Sequence, residues 1–358
     1  MITLDLRDAI ARAVSDLGHP ADGAALDPVL RPGPAPGTYA TSVAFGLSAL
    51  LTRTTPAQVA AKITTRLADG AWIAEAAVTG GGYVTITITP GALASVAARI
   101  IAAGPACVRS EVLRGVALQE PPAEWQARTW EEARAALAAE LTARLARAAG
   151  ATLGPASAQD SPAHNRNGPE EATGTRQRRS RSEEGTGPES GPESGPVADA
   201  VAVAGADAVR FALSRVIPGK PARVDEARAA RNSLDNPAYA VTYAHARAVS
   251  GVRWAAALGA PAQGEAALPC LPADPAERAL LDALSWLPER VAVAARRGRP
   301  DEFARYLEDL ARATIAAVPF VRPGDNERLA VASALARAAR TGLAAGLGLL
   351  GIAAPDRL

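Results

Sequence analysis

The stretch Asn236-Pro237-Ala238-Tyr239-Ala240-Val241-Thr242-Tyr243-Ala244-His245-Ala246-Arg247 predicts a helix with a defined start and an aromatic face. Asn236 before Pro237 is typical of a turn residue that caps a helix, because its side chain can accept a hydrogen bond from the first turn. Tyr239 and Tyr243 are one helical turn apart and therefore share a face. Either both rings fill the core of a helical bundle, or an exposed ring is available to stack on an unpaired nucleic-acid base.

The same predicted helix carries a histidine and two arginines. His245 is either a buried packing residue or a ligand contact. Arg247 and Arg253 either pair with phosphates or form ion pairs within and between helices, and the sequence leaves both alternatives open.

Most of the chain after residue 198 has helical periodicity, interrupted by prolines and glycines. The predicted helices are 206–216, 224–258, 275–297, 302–318 and 327–350. This pattern indicates a bundle of about five helices.

A long polar stretch precedes this bundle. Residues 155–196 contain no Val, Ile, Leu, Met, Phe, Tyr, Trp or Cys, so they cannot offset their ordering entropy by burial. We predict a disordered linker over residues 155–198. As a flexible coil it would let two folded bodies move independently.

The N-terminal part combines helix and strand signals. Thr55-Pro56-Ala57-Gln58 predicts a helix start with a capping box, and Tyr83-Val84-Thr85-Ile86-Thr87-Ile88-Thr89 alternates apolar and hydroxyl residues like a half-buried antiparallel strand. The predicted helix places three apolar side chains on one face: Val59, Ile63 and Leu67. A small α+β domain over residues 1–104 follows from these signals.

Residues 105–154 are predicted to connect the two parts through a long amphipathic helix within 122–150. Trp130, Leu137, Leu141 and Leu145 recur at helical spacing there. The surface that this helix covers is not indicated by the sequence.

Composition excludes several functional classes. The net charge of +1 gives no global basic signal, so any nucleic-acid contact must depend on locally arranged arginines. The two cysteines, Cys107 and Cys270, are far apart, so neither a metal site nor a disulfide framework is expected. No cofactor is predicted. With no signal peptide and no run of 18 or more apolar residues, we predict a soluble cytoplasmic protein without a membrane partner.

The motif at 236–247, together with the segments 205–210, 303–311 and 346–358, resembles the DALR anticodon-binding domain of arginyl-tRNA synthetases. Gly37-Thr38-Tyr39-Ala40-Thr41 and Gly80-Gly81-Gly82-Tyr83-Val84 resemble the additional domain that contacts the tRNA elbow in the same family. The resemblance implies a mainly α protein, with a DALR-type helical bundle at 199–358 and a small additional-type α+β domain at 1–104.

The resemblance also implies a set of tRNA-binding residues: Tyr243, Arg247, His245, Tyr239, Arg253, Asn236 and Tyr39. Two departures from the family pattern bear on base-specific reading of an arginine anticodon. Ala240 stands where the family commonly has another Tyr, and Leu358 replaces the terminal Met of many members. Recognition of tRNA by shape does not depend on these two positions.

The catalytic signatures of the family have no counterpart in this sequence. Its H-x-G-H motif is absent, because His19, His164 and His245 are the only histidines, and a Lys-rich motif is excluded by having only Lys62 and Lys220. We therefore predict a non-catalytic tRNA-binding protein, with arginine tRNA among its candidate ligands. The alternatives are a module that docks on a true arginyl-tRNA synthetase or another translation factor, and an arginine–tRNA ligase whose ATP site the sequence does not reveal.

Overall fold

The computed structural model describes residues 1–17, 29–51, 54–121, 129–154, 196–260, 268, 272–318 and 326–358. The elements in chain order are α1 Ile2–Ser15, β1 Leu30–Pro32, β2 Thr38–Thr41, α2 Val43–Leu50, α3 Pro56–Leu67, β3 Ile73–Thr79, β4 Tyr83–Ile88, α4 Pro90–Ala103, β5 Ala117–Gln119, α5 Trp130–Ala148, β6 Thr152–Gly154, α6 Pro196–Ala204, α7 Ala206–Ser214, α8 Glu226–Ala229, α9 Pro237–Ala257, α10 Pro275–Ser285, α11 Leu287–Arg297, α12 Pro300–Ala317 and α13 Asn326–Leu350. The predicted fold class, a helical bundle with a small α+β domain, is confirmed.

The N-terminal domain is a four-stranded antiparallel sheet of order β1-β2-β4-β3 covered by helices. Strand β4 alternates as predicted, with Val84, Ile86 and Ile88 buried. The capping box at the start of α3 is confirmed, because the Thr55 main-chain N–H donates to Gln58 Oε1 and the Gln58 N–H donates to Thr55 Oγ1. Local sequence signals therefore specified these elements correctly.

The segment Pro90–Val108 is long and apolar enough to cross a membrane by length and composition alone. It is not one continuous α-helix, because α4 ends at Ala103 and Gly104 has a φ of +54° before a 3₁₀ turn. The 14 residues of α4 span only about 21 Å, less than a bilayer core. Leu93, Val96 and Ile100 are buried within the protein, so we interpret α4 as a core helix.

Helix α5 confirms the predicted long helix, but its apolar side is already covered. Thr129 caps it in a second capping box with Glu132. Leu137, Leu141 and Leu145 are buried in the common core, and α5 packs on α11, α7 and α13. This side of the helix is therefore not free to dock on another protein.

The bundle differs from the sequence prediction in where its helices break. The predicted helix 224–258 is divided into α8 and α9 by the turn ending at Asn236, and 275–297 is divided at Trp286 into α10 and α11. The predicted linker lies outside the described residues over 155–195, and its last three residues, 196–198, belong instead to α6.

The N-terminal domain packs directly on α10 and α11 of the bundle. Tyr39, on β2, is fully buried there, with its ring 5.3 Å from the Trp286 ring and its hydroxyl 3.0 Å from Ser285 Oγ. The Thr3 hydroxyl donates to the Ser285 main-chain oxygen at 2.9 Å. One continuous apolar cluster includes residues of both parts, so the expectation that they move independently is wrong for this structure.

Two carboxylates of the bundle lie at the same interface, Asp282 partly buried and Glu289 fully buried. Asp282 accepts a 2.9 Å hydrogen bond from the Gly37 main-chain N–H, and burial raises the pKa of Asp282. Glu289 forms a 3.1 Å ion pair with Arg7, and the two side chains are 1% and 10% exposed. Burial raises the pKa of Glu289 and lowers that of Arg7, because it disfavours both charged forms, while each partner opposes the shift of the other.

Replacing Arg7 by Met should destabilise the protein by about 3–5 kcal/mol, because Glu289 is then a buried carboxylate without this partner. The double replacement Arg7→Met with Glu289→Leu should recover most of the loss. Denaturant unfolding of both variants measures the two free energies.

The matched control for this experiment is Arg114→Met. Arg114 pairs with Glu111 at a site where both side chains are more than half exposed, so its loss should change stability by no more than about 0.5 kcal/mol. Equal effects of Arg7→Met and Arg114→Met would contradict a structural role for the buried pair.

Candidate nucleic-acid interface

One face of α9 presents an aromatic row. Tyr239 and Tyr243 are half-buried and their rings stack, with centroids 5.9 Å apart and planes inclined by 21°. Trp254 follows three turns later on the same face and is 45% exposed. The sequence offered either core packing or an exposed stacking surface for the two tyrosines. The structure shows part of each, because each ring packs on its neighbour and keeps some accessible surface.

This aromatic row lines a groove of about 450 Å³. The groove is bounded by α9, by Val318 at the end of α12, and by the last three residues of the chain. Arg247, Arg253 and Arg357 also line it, against the single carboxylate side chain of Asp356. Planar rings beside guanidinium groups suit a ligand with flat bases and phosphates.

The wall formed by the C-terminal residues is held in place by contacts along its length. Helix α13 ends at Leu350, whose main-chain oxygen accepts a 2.5 Å hydrogen bond from Arg210 Nε. Further on, the Ala353 N–H donates to Asp207 Oδ2 at 2.9 Å, and the Pro355 main-chain oxygen lies 2.9 Å from His245 Nδ1. We call residues 352–358 the C-terminal tail.

Gly351 allows the chain to turn out of α13 into this tail. Its φ is +69°, a conformation that favours glycine. A Cβ at this position would lie 2.7 Å from Arg144 Nη1 and 2.8 Å from Nη2 of Arg210, which bonds to the helix end. A larger residue would therefore displace the two arginines.

His245 acts on the groove through the tail, because its side chain is 3% exposed. A carbonyl oxygen only accepts hydrogen bonds, so Nδ1 must carry the proton that is donated to Pro355. The direct tRNA contact expected of His245 stays a prediction. Its observed role is to fix the position of the tail against α9.

Asn236 is likewise a structural residue. It is 4% exposed, and its Oδ1 accepts from the Ala238 N–H while its Nδ2 donates to the main-chain oxygens of Ala229 and Arg231. The predicted helix cap is confirmed, and the polar atoms of the side chain bond internally. The expected contact of Asn236 with tRNA stays a prediction.

The two predicted arginines differ in availability. Arg247 Nη2 donates to the Val318 main-chain oxygen at 3.0 Å, where α12 ends and its carbonyls attract a positive charge. Arg253 is exposed and makes only a 3.4 Å contact with the Asp356 main-chain oxygen. Arg253 can reach a phosphate without breaking a strong internal contact.

Tyr39 does not belong to this groove. It lies in the interface with α10 and α11, fully buried, and burial raises its pKa well above the ordinary value. Its expected contact with tRNA stays a prediction. The motif Gly37-Thr38-Tyr39-Ala40-Thr41 instead supplies the sheet and its contact with the bundle.

The N-terminal domain has an aromatic pair that sequence reasoning missed. Phe45 and Tyr83 are 37% and 41% exposed, with ring centroids 4.9 Å apart. The adjacent turn depends on Gly82, whose φ is +150° and where a Cβ would lie 2.6 Å from Pro56 Cβ. Tyr83 sits in the quoted motif at 80–84, but nothing in the sequence showed that Phe45 would pair with it.

Trp254 was also missed. The available signal was its spacing of eleven residues from Tyr243, which returns to the same helix face. Arg357 and Leu358 carried no signal, because only the tertiary path of the tail brings them to the groove.

Comparison with known proteins identifies two domains. Residues 241–358 match the DALR anticodon binding domain, and residues 4–88 match the arginyl tRNA synthetase N terminal domain. The groove lies on the first of these, and the Phe45–Tyr83 pair lies on the second. The chain thus carries arginyl-tRNA synthetase N-terminal and DALR domains.

Curated relatives match only part of their own length. The arginine–tRNA ligase of Frankia alni is 39% identical over 160 residues, which are 43% of this chain and 29% of that protein. The arginine–tRNA ligase of Kineococcus radiotolerans is 38% identical over 164 residues, with the same coverage of both chains. The chain therefore covers less than a third of these relatives.

A solved structure, the arginyl-tRNA synthetase of Thermus thermophilus, has a similar fold. The TM-score is 0.65 at 16% sequence identity, with 100% of both chains covered. At this identity the similarity concerns the fold alone.

Replacing His245 by Ala should loosen the tail while leaving α9 folded. The loss of one hydrogen bond costs about 1 kcal/mol, which corresponds to roughly fivefold more frequent opening. Hydrogen exchange should accelerate by that factor at the tail amides, including Ala353, and stay unchanged in the middle of α9.

Thr242→Ala is the control, because its hydroxyl bonds only to carbonyls within α9. If His245→Ala left tail exchange equal to that of Thr242→Ala, His245 would not be the residue that fixes the tail.

Proposed function

We propose that this chain is a non-catalytic tRNA-binding protein whose α9 groove receives the anticodon stem-loop. The observation that carries the proposal is the row of Tyr239, Tyr243 and Trp254 beside exposed Arg253, on the domain that matches an anticodon-binding family. Stacking on aromatic rings tolerates any base, so this groove does not require the specificity-determining residues of a particular anticodon.

In this proposal the N-terminal domain contacts the tRNA elbow. The exposed Phe45–Tyr83 pair supplies a second surface on which a base can stack. Residues 1–104 and 199–358 are then the two RNA-binding units, and 105–154 joins them to a common core. The cytoplasm is the compartment that this function implies.

The non-catalytic part of the proposal rests on the sequence. Adenylate formation requires groups that stabilise phosphate charge, and the H-x-G-H and Lys-rich signatures are absent from this sequence. The names of the relatives describe ligases, but the matched alignments cover only 29% of those proteins. A relative's name can be shared without its reaction.

A module that docks on a synthetase or another translation factor is a second candidate. It would use an apolar surface, and the apolar side of α5 is already covered by α11. Salt dependence separates the two, because phosphate contacts weaken steeply as salt rises and apolar contacts do not.

We expect the purified protein to bind tRNA with an affinity that falls steeply with salt, and Tyr243→Ala to weaken that binding. Loss of one base stack costs about 1–3 kcal/mol, or roughly 5- to 150-fold in affinity. Tyr243→Phe keeps the ring and should bind like the wild type. Arginine tRNA is the first ligand to test, with other tRNAs in parallel.

Two RNA ligands make this experiment selective. With an isolated anticodon stem-loop, Tyr243→Ala should weaken binding and Tyr83→Ala should not, whereas with whole tRNA both should. Absence of tRNA binding at low salt would refute the proposal, and an equal effect of both variants on the stem-loop would refute the assignment of the two surfaces.

ATP-dependent charging of tRNA with arginine should not occur above the level of a protein-free control. A validated arginine–tRNA ligase serves as the positive control in the same assay. Charging that scales with the amount of this protein, and that persists through purification, would overturn the non-catalytic part of the proposal while leaving tRNA binding intact.

A further inference from the structure

A second groove lies between the two domains, separate from the one that the aromatic row lines. It has a volume of about 1510 Å³ and is formed by α4 and the 3₁₀ turn Gly104–Val108 on one side, α13 on the other, and the end of α5. It exists only because the N-terminal domain docks on the bundle. We call it the interdomain groove.

The interdomain groove is strongly basic, although the whole chain is nearly neutral. Among the residues that the structure describes, Asp356 contributes the one carboxylate of its lining. Five arginines line it: Arg109, Arg144, Arg147, Arg337 and Arg340. These arginines come from three separate segments, which are the turn after α4, α5 and α13. Only the tertiary structure brings them to one surface.

Two of these arginines are neutralised and three are available. Arg144 pairs with Glu140 at 2.9 Å and Arg147 pairs with Glu120 at 2.9 Å. Among the described residues no carboxylate lies within ion-pair distance of the guanidinium groups of the other three: Arg109, Arg337 and Arg340. Like charges gathered in one groove disfavour folding, and an anion bound between them would relieve this repulsion.

The floor of the groove allows an extended ligand to approach closely. On α13, Ala344, Ala345 and Gly348 follow Arg337 and Arg340 on the same face, so the helix backbone is covered only by small side chains. The volume exceeds the roughly 300–1,000 Å³ of ordinary small-molecule sites. An extended polyanion fits these dimensions better than a nucleotide.

The interdomain groove is adjacent to the groove of about 450 Å³ that the aromatic row of α9 lines, which we call the aromatic groove. Asp356 of the tail lines both, and His245, which holds the tail, lines the interdomain groove. A ligand that places bases on Tyr243 can therefore extend past the tail toward Arg337 and Arg340.

We propose that the interdomain groove binds the phosphate backbone of an RNA helix, and that it receives the stem of the RNA whose loop occupies the aromatic groove. This inference rests on the proposed tRNA-binding function and adds to it a phosphate site that requires both domains to be docked. Arg109, Arg337 and Arg340 contact phosphates, whereas Arg144 and Arg147 keep their pairs with Glu140 and Glu120.

The test is the salt dependence of tRNA binding by Arg337→Ala combined with Arg340→Ala. Loss of two phosphate contacts should lower the slope of log affinity against log salt by about 2, and it should weaken binding at low salt more than at high salt. Arg337→Lys with Arg340→Lys keeps the charge and should keep the slope.

The matched control is Arg66→Ala combined with Arg312→Ala, which removes the same charge from exposed positions on α3 and α12. It should change the slope little. If the groove variant and this control gave equal slopes while the wild type bound tRNA, the groove would be excluded and the proposed function would stand.

A short RNA hairpin with a small structured loop separates the two proposals further. It offers stem phosphates without an anticodon loop, so its binding should depend on Arg337 and Arg340 and not on Tyr243. Hairpin binding that depends on the groove, without selective binding of tRNA, would keep the groove and refute the proposed function. Binding of neither RNA would overturn both proposals. If inorganic triphosphate inhibited tRNA binding while the hairpin did not bind, the groove would be a site for a small polyanion and not for an RNA helix.

Discussion

The structure depends on how the N-terminal domain is held on α10 and α11. A set of directional contacts fixes this interface: Arg7 to Glu289, the Gly37 N–H to Asp282, and Tyr39 and Thr3 to Ser285. Apolar burial drives the association but does not select a single orientation. A buried charge without its partner costs several kcal/mol, so these polar contacts select one orientation of the two domains.

The docked arrangement creates surfaces that neither domain has alone. The interdomain groove needs α4 and its following turn on one wall and α13 on the other. The end of α13 is in turn fixed by Arg210, which bonds to the Leu350 oxygen and pairs with Glu140 of α5. This anchoring sets where the tail begins, and the tail then forms a wall of the aromatic groove. A continuous series of contacts therefore joins the domain interface, the interdomain groove and the aromatic groove.

Several residues in the quoted motifs are structural here. Asn236 caps α9, His245 fixes the tail, and Tyr39 fills the domain interface. Each was a candidate RNA contact because the family resemblance implied that role. In this structure each of the three side chains has 4% or less of its surface exposed and makes an internal hydrogen bond, and their contacts with tRNA stay predictions. The side chains that remain accessible are Tyr239, Tyr243 and Arg253, together with Trp254, which sequence reasoning overlooked.

The sequence by itself determined the local elements and the family of domains. The capping box of α3, the alternation of β4 and the tyrosine spacing on α9 are encoded within a few residues, so each could be recognised from a short window. Only the tertiary structure decided that the two domains share a core, that Glu289 is buried between them beside the partly buried Asp282, and that arginines from three distant segments line one groove. The physical reason is that helix periodicity defines which face of an element is apolar, whereas the choice of its partner depends on shape and charge contributed by residues hundreds of positions away.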